Sequence, residues 1–441
     1  MYLPPNILAC IQALEQNGFA AYAVGGCVRD ALLGLTPHDY DLCTAATPAQ
    51  MKAIFSRYRL VLAGEKHGTV GVVTDGGVVE ITTFRTEGAY LDNRHPDKVA
   101  FVASVEEDLA RRDFTVNARA YAPGRGLVDP FGGQRDLQDR VLRCVGMPEM
   151  RFREDSLRIL RGVRFAVRFS LTPEVRTFAA MESQAELMDN LARERVFDEL
   201  CKLLPLVSAQ DLLRYQRILT QVIPELLPTL GFDQHSKHHA YDIYTHTACV
   251  TEAVPPRLAL RWAALLHDVG KPDTFCIDGD GNGHFYGHAK VSAQMADVIL
   301  RRLKAPNALR QEVVQLIEQH MTLIAPEEKA VRRWLSRLGP EMLEMLLQLQ
   351  EADMGSKGTG KPENVAQFTQ LRAWMQQIQA ANACLSLRDL AVDGHDLMAL
   401  GYSGPEIGRA LQQLLDLVLE ERLPNEKETL LAWLKAGREE K

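Results

Sequence analysis

AYAVGGCVRDALLGLTPHDYDLC, residues 21–43, is the stretch from which the rest of the chain is read. AYAV has the apolar character of a buried strand, and Gly25-Gly26 punctuates it. The next residues predict a short helix bearing Arg29, closed by a Gly-Leu-Thr-Pro turn. A second strand then carries Asp39 and Asp41. Side chains alternate faces along a strand, so these two carboxylates are expected side by side. Like charges that close repel unless a cation lies between them. Gly25 and Gly26 leave room for a phosphate to approach the backbone, and the following helix offers N–H groups and Arg29. A phosphate cradle ahead of a carboxylate pair points to phosphoryl transfer on a nucleotide.

At 441 residues the chain is too long for one hydrophobic core, and roughly three or four structural units are expected. Its 46% hydrophobic and 24% charged content is that of a globular protein. No apolar run reaches the ~18–20 residues of a membrane helix, and the opening MYLPPNILACIQALEQNG reads as an amphipathic helix, not a secretory leader. Eight cysteines are scattered without a Cys-x-x-Cys pair. That pattern predicts reduced thiols in the cytoplasm and argues against a zinc ribbon or disulfide framework. A net charge of −7 means that any nucleic-acid contact has to rest on basic residues concentrated locally.

Downstream, residues 48–59 read as a helix. GTVGVVTDGGVVEITTFR (68–85) reads as a hairpin turned by Asp75-Gly76-Gly77. Glu80, on its second strand, is either a third carboxylate beside Asp39 and Asp41 or a surface charge. TEGAYLDNRHPDKV is a polar loop beside this sheet. Ser104 and Glu107 have capping-box spacing, so a helix is expected over 104–122. It would carry Arg111, Arg112, Asp113 and Asn117. Adjacent arginines do not share a helical face, which leaves one to reach a triphosphate and the other to brace the fold.

Residues 151–168 carry six arginines against two acids. Read as one helix, they put Ile159, Leu160, Val163 and Val167 on a core face. Glu154, Asp155, Arg158, Arg161, Arg164 and Arg168 fall on the other. Asp155 and Arg158, three apart, would share that face and present an acceptor beside a donor. Cytosine and adenine offer an exocyclic amine beside a ring-nitrogen acceptor, whereas uracil and guanine present the reverse. Such a pair accepts C and A. A mismatch that leaves polar groups buried and unpaired costs ~1–3 kcal/mol. The alternative is an i,i+3 surface salt bridge worth ~0.2–0.5 kcal/mol.

GGCVRDALLG, DYD, the hairpin ending EITTFR, LARRDFTVNA and REDSLRILRGVRF occur in the order seen in class II CCA-adding enzymes and their poly(A) polymerase relatives. The chain resembles that superfamily over roughly residues 20–230. The resemblance implies that Asp39 and Asp41 bind two catalytic Mg²⁺ ions, with Glu80 beside them. Gly25, Gly26, Arg29, Arg111, Arg112, Asp113 and Asn117 then belong to the nucleotide site. Glu154, Asp155 and Arg158 match the EDxxR motif that selects CTP and then ATP, and Arg161 and Arg164 match neighbouring nucleotide contacts. EDxxR favours the CCA-adding branch over poly(A) polymerases. It does not separate full CCA addition from CC-only or A-only addition, a split tied in the family to the loop around Gly88–Asp97.

Eight of the twelve histidines lie between His235 and His320. Neutral imidazoles with carboxylates suit a divalent transition metal better than Mg²⁺ alone. The order His246, His267-Asp268, His288, His320, Asp353, with LLHDVGKP at its centre, resembles the HD phosphohydrolase superfamily. By that likeness His246, His267, Asp268 and Asp353 are metal ligands, and His288 and His320 match positions used in binuclear members. In some CCA-adding enzymes such a domain is associated with phosphatase or phosphodiesterase activity. His235, His238, His239 and His284 match no ligand position and read as surface or packing residues. GSKGTGKPEN (355–364) reads as a hinge, and the helices beyond it resemble the segment that docks the tRNA elbow.

The expected architecture is α+β multidomain. A mixed α/β, polymerase-β-like nucleotidyltransferase head (1–140) precedes a helical neck (141–205), body (206–234), HD domain (235–355) and tRNA-binding tail (356–441). The expected activity is CCA addition to tRNA from CTP and ATP. The alternatives are a poly(A) polymerase, a CC- or A-only enzyme, or HD phosphohydrolysis as the main reaction.

Overall fold

The computed structural model describes residues 1–87, 99–236, 240–358 and 365–439. The Gly88–Asp97 loop, His238, His239 and most of the 355–364 hinge lie outside the described residues. The chain divides into two compact units: Met1–Val207 with Asp211–Pro224, and Ser208–Gln210 with Glu225–Lys441.

The first unit opens with α1 (Pro5–Gln16), which has proline in its first turn and buries Ile7, Cys10, Ile11 and Leu14 along one stripe. A mixed seven-stranded sheet follows. Its strands are β1 (Ala21–Val24), β2 (Asp41–Thr44), β3 (Leu60–Val61), β4 (Thr69–Thr74), β5 (Gly77–Thr83), β6 (Ala120–Ala122) and β7 (Gly126–Val128), ordered β3-β4-β5-β2-β1-β6-β7. Only β2 and β5 run parallel among the pairings of this sheet. Both faces of β1 are covered. Ala21 and Ala23 join a core with Leu14, Val28, Leu42 and Ile81, while Tyr22 and Val24 pack with Cys43, Phe84 and Leu109 on the other side. That is why AYAV is apolar at every position instead of alternating. The hairpin closes as expected, with Thr74 paired to Gly77. Asn6 Nδ2 donates to Thr74 Oγ1 at 3.1 Å, tying the turn to α1.

Between β1 and β2 lies α2 (Gly26–Leu32), and after β5 comes α3 (Val105–Ala110). Ser104 caps α3, but it accepts from Glu106 N–H, not through a capping box with Glu107. The helix expected over 104–122 stops at Ala110. Asp113 Oδ1 accepts the N–H of Phe114 at 2.9 Å, and Ala120–Ala122 is drawn into the sheet beside β1. The helix expected over 151–168 is likewise two helices, α4 (Pro148–Glu154) and α5 (Leu157–Phe169). Asp155 between them is extended, with φ −144° and ψ 102°, and its Oδ1 caps the new helix by accepting Leu157 N–H at 3.1 Å. α6 (Arg193–Leu203) packs along α5.

The second unit is mostly helical. α7 (Ile243–Ala253) precedes α8 (Leu258–Leu266), which is buried from Ala259 to Leu266, as befits a helix apolar all round. A hairpin, β8 (Phe275–Ile277) and β9 (Gly283–Phe285), leads into α9 (His288–Arg302), α10 (Asn307–Gln319) and α11 (Pro340–Gly355). The last helices share a separate core around Leu397, Leu414 and Leu430.

Candidate active site and candidate metal centre

Asp41 opens β2, and Asp39 lies just before it, so one carboxylate of the pair belongs to the strand and the other to its approach. Leu42 pairs with Ile81 in parallel register. One residue earlier on each strand sets Asp41 level with Glu80, the third carboxylate. All three are exposed, and all line one cleft of about 720 Å³ with His38 and the Gly76-Gly77 turn. Water reaches Asp41, yet protein surrounds it closely. That crowding raises its carboxyl above the usual range; Arg112 opposes the rise, and Glu80 and Asp39 add to it. A carboxylate so placed is short of positive charge.

The cradle is next door. Gly25 has φ 78° and ψ −123°, a conformation open to glycine, and a Cβ there would lie 2.9 Å from Arg112 Nη1. Asp108, fully buried, holds both arginines: Arg111 through Nε and Nη2 at 3.0 and 2.9 Å, Arg112 through Nη2 at 3.3 Å. Arg112 Nε is buried without a hydrogen-bond partner. Of the two arginines, Arg112 therefore lies against the Gly25 backbone and acts on Asp41. Arg29 turns inward. Its Nε and Nη2 donate to Asp30 Oδ1, its Nη1 donates to Asn117 Oδ1 at 2.7 Å, and its guanidinium lies 4.1 Å from the Phe169 ring centre. Asn117 in turn donates to Asp113 Oδ1.

Helix α5 is not the exposed basic face that periodicity suggests. Arg158 and Arg164 are buried, and Arg161 is half-buried. Arg161 donates to Asp113 Oδ2 at 2.9 and 2.7 Å, and Arg164 Nε to Glu199 Oε2 at 2.6 Å. Burial alone would raise the Asp113 carboxyl. The Arg161 charge and hydrogen bonds, with Arg158 and the Phe114 N–H, outweigh it and bring it down to about 2. Asp155 and Arg158 are not paired to each other, because the helix break at Asp155 turns its carboxylate elsewhere. Arg158 donates to Glu154 Oε2 at 2.7 Å, and Asp155 takes Arg195 at 3.0 Å. Arg195 lies forty residues downstream in a segment that carries no motif. Its sequence signal is limited to being a charged residue on an amphipathic helix.

The second centre has a different construction. His246 on α7, His267 and Asp268 after α8, His288 opening α9, His320 closing α10 and Asp353 on α11 converge. Each histidine uses Nδ1 on a backbone carbonyl: His246 to Ser356, His267 to Ala264, His288 to Phe285 and His320 to Ile317, at 3.2, 2.7, 2.8 and 2.6 Å. A protonated Nδ1 leaves the Nε2 lone pair free to bind a metal. All four Nε2 atoms face carboxylate oxygens. Those of His246 and His267 lie 3.6 and 3.2 Å from Asp268 Oδ2 and 2.9 and 3.9 Å from Asp353 Oδ1. Those of His288 and His320 lie 3.3 and 4.0 Å from Asp268 Oδ1. Asp268 thus lies between two ligand groups, His246–His267–Asp268 and Asp268–His288–His320. His267 Nε2 and both Asp268 oxygens are buried without a hydrogen-bond partner of good geometry. Opposed acceptors at such distances fit a divalent cation between them. Lys271 Nζ, 2.7 Å from Asp268 Oδ2, supplies one neighbouring positive charge. Burial, with the charge of His267, pushes His320 down to about 4 and keeps it neutral. His235 and His284 stay outside the cluster, and His284 pairs with Asp278 at 2.7 Å.

Family models match three parts of the chain. A model of the poly A polymerase head domain matches residues 21–143. A probable RNA and SrmB-binding site of polymerase A matches 169–230. A putative second domain of tRNA nucleotidyltransferases matches 284–434, a span that includes His288, His320 and Asp353. The CCA-adding enzyme of Streptococcus thermophilus is 32% identical over 99% of the chain and 98% of its own length. That of Levilactobacillus brevis is 35% identical over 96% and 95%. The Bacillus stearothermophilus CCA-adding enzyme in complex with CTP superposes with a TM-score of 0.72 at 29% identity, covering 99% of this chain and 98% of that one. A Thermotoga maritima CCA-adding enzyme complexed with tRNA shares the fold, with a TM-score of 0.60 at 20% identity, 98% of this chain and 96% of that one.

Proposed function

The chain belongs to the CCA-adding enzyme family, and from that premise we propose that it builds or repairs the 3′-terminal CCA of tRNA from CTP and ATP without a nucleic-acid template. The observation that carries the reading is the three-carboxylate cleft beside the Gly25–Arg112 cradle, in the same unit as Asp155 and Arg158.

Asp39, Asp41 and Glu80 offer only oxygen ligands, which suits Mg²⁺. When bound, Mg²⁺ would polarise the tRNA 3′-hydroxyl and neutralise the departing pyrophosphate. The Gly25-Gly26 backbone and Arg112 hold the triphosphate, with Arg111 bracing Asp108 and Arg29 bracing Asn117. Asp155 accepts from the exocyclic amine of C or A, and Arg158 donates to the ring nitrogen. Arg161 and Arg164 hold α5 in place through Asp113 and Glu199. We retain the division into head, neck, body, HD and tail segments at the boundaries given above. Eight free thiols suit the expected cytoplasmic setting.

The decisive assay incubates tRNA transcripts ending before C, CC and CCA with CTP and ATP and sequences the 3′ ends. Stepwise completion to CCA supports the proposal. Addition of A alone to every transcript overturns it in favour of a poly(A) or A-only enzyme.

A second reading rests on the histidine cluster, whose imidazole Nε2 atoms converge on the buried Asp268 carboxylate and favour an HD-type divalent transition-metal centre with phosphohydrolase activity. Metal-dependent release of phosphate from nucleotide monoesters or cyclic phosphates, abolished by Asp268→Ala, tests it. No hydrolysis with Mn²⁺, Ni²⁺ or Co²⁺ would overturn it.

A further inference from the structure

We propose that Arg119 is a positioning residue for the triphosphate, a charge sealed beneath the Gly25–Arg112 cradle that strengthens phosphate binding without touching the nucleotide. The inference rests on reading that cradle as the triphosphate site.

Along the chain Arg119 stands between Ala118 and Ala120, and a lone charged residue in an apolar run is expected at the surface. All three residues are instead fully buried. Arg119 lies where β6 enters the sheet: Ala120 pairs with Val24 of β1, and Arg119 O accepts the Gly25 N–H at 3.1 Å. Its backbone is thus bonded directly to the cradle. Gly133 closes over its side chain, where a Cβ would lie 3.2 Å from Arg119 Cδ and 2.0 Å from Thr115 O. Only glycine permits so close an approach.

Inside this seal the guanidinium is short of partners. Nη2 donates to Val116 O at 2.6 Å, whereas Nε and Nη1 are buried without a hydrogen-bond partner. The charged groups that act on it are Asp129 and Arg29. Asp129 uses both oxygens on backbone, accepting the N–H groups of Gly133 and Gln134 at 2.7 Å each. Arg29 is a like charge, already engaged with Asp30 and Asn117. Burial, opposed by Asp129 and reinforced by Arg29, brings Arg119 down to about 10, so it keeps its proton at neutral pH.

A buried cation without a hydrogen-bonded anion is costly to the fold. Solvent and salt screen its field weakly, so the field reaches an anion held at the adjoining backbone. A bound triphosphate supplies the missing negative charge. Such a field is blind to the base, acting on CTP and ATP alike, and it grows with the number of phosphates.

The test measures binding of CMP, CDP and CTP to the full-length enzyme with Mg²⁺ by isothermal titration, beside steady-state addition to a tRNA transcript lacking CCA. Arg119→Met should weaken CTP binding roughly five- to twentyfold, CDP binding less and CMP binding least. KM for CTP and ATP should rise together while kcat changes by no more than about twofold, the mark of lost uniform binding. Arg119→Lys, which keeps the charge, should recover most of the loss. Should circular dichroism find Arg119→Met unfolded, Arg119→Gln, which keeps a donor for Val116 O, carries the same comparison. An equal loss for CMP, CDP and CTP, or no loss, would make Arg119 a packing residue and overturn the inference, as would a lysine variant no better than the neutral one. Gly25→Ala isolates the underlying reading. If that variant keeps the wild-type KM for CTP, the triphosphate does not lie in the cradle, whatever Arg119→Met does. If Gly25→Ala raises KM and Arg119→Met does not, only the role of Arg119 falls.

Discussion

Asp39, Asp41 and Glu80 stand exposed in an open cleft of the head, whereas His246, His267, Asp268, His288 and His320 are sealed inside helices of the second unit. Among the described residues, the ligand atoms drawn within 4.8 Å of one another are those of the second centre. The head trio lines one groove. Open oxygen ligands at a groove leave coordination positions for substrate phosphates, and on the function proposed above the head would receive metal and nucleotide together. The buried cluster has its imidazole tautomers fixed by backbone carbonyls and two opposed ligand groups sharing Asp268. On the second reading proposed above, it would hold ions before any substrate arrives.

The most severe way to break this contrast is Asp41→Ala. Loss of several kcal/mol of metal-borne charge stabilisation corresponds to a fall in nucleotide addition on the order of a thousandfold. A gel-shift measurement should find tRNA still bound. Retained incorporation would sink the assignment of the cleft. Next in size is metal retention. Wild-type protein dialysed against metal-free buffer should keep divalent transition metal by elemental analysis, and Asp268→Ala should lose it while nucleotide addition with added Mg²⁺ persists. Equal metal content in the two proteins would remove the distinction between a prebuilt and a substrate-completed centre.

A third prediction compares carboxylates with and without a countercharge. Asp41 is raised because burial and its acidic neighbours outweigh Arg112, whereas Asp113 is brought from 3.8 to about 2 because Arg161 more than offsets burial. A depressed native value contributes stability above the unfolded pKa and loses it as pH falls through the native one. Against Asp113→Asn, the wild type should be more stable by roughly 2 kcal/mol near neutrality. The advantage should fade from about pH 4 downward, read from urea midpoints. An advantage independent of pH would mean that the Arg161 charge is not its source. The smallest effect is expected for Gly25→Ala. Its φ of 78° costs an alanine roughly 1–2 kcal/mol of strain, and the new methyl meets Arg112 Nη1. KM for CTP and ATP should therefore rise more than kcat falls, as measured by steady-state addition.

Much of the head was readable in advance because its signals are local. The strand–Gly-Gly–helix–strand order and the Asp75-Gly76 turn follow from alternation and turn chemistry over a few residues, whereas the place of Glu80 beside Asp41, open in the sequence, is set by the parallel pairing of β2 with β5. The convergence of His246, His267, Asp268, His288, His320 and Asp353 was equally readable, since their residue types and order survive in the sequence. What periodicity misjudged was the stretch from Arg151 to Arg168. A continuous helix put Asp155 and Arg158 on one exposed face, but the Asp155 side chain caps the next helix, and Arg161 and Arg164 find Asp113 and Glu199 elsewhere in the fold. Burial of Arg164, and the inward turn of Arg161, are tolerable only because those acids are present. Spacing along the chain carries no record of them.

The sequence by itself determined the residue types of each cluster: carboxylates and paired glycines in one, imidazoles around an Asp in the other. Those depend on residue type and on separations of a few residues, which backbone geometry converts directly into direction. The tertiary structure decided the pairings. Arg195 reaches Asp155 across forty residues, Arg161 reaches Asp113 across forty-eight, and Ser356 O orients His246 across one hundred and ten. Such contacts arise from how helices pack, and packing is set by the shape of whole surfaces, which no local motif encodes.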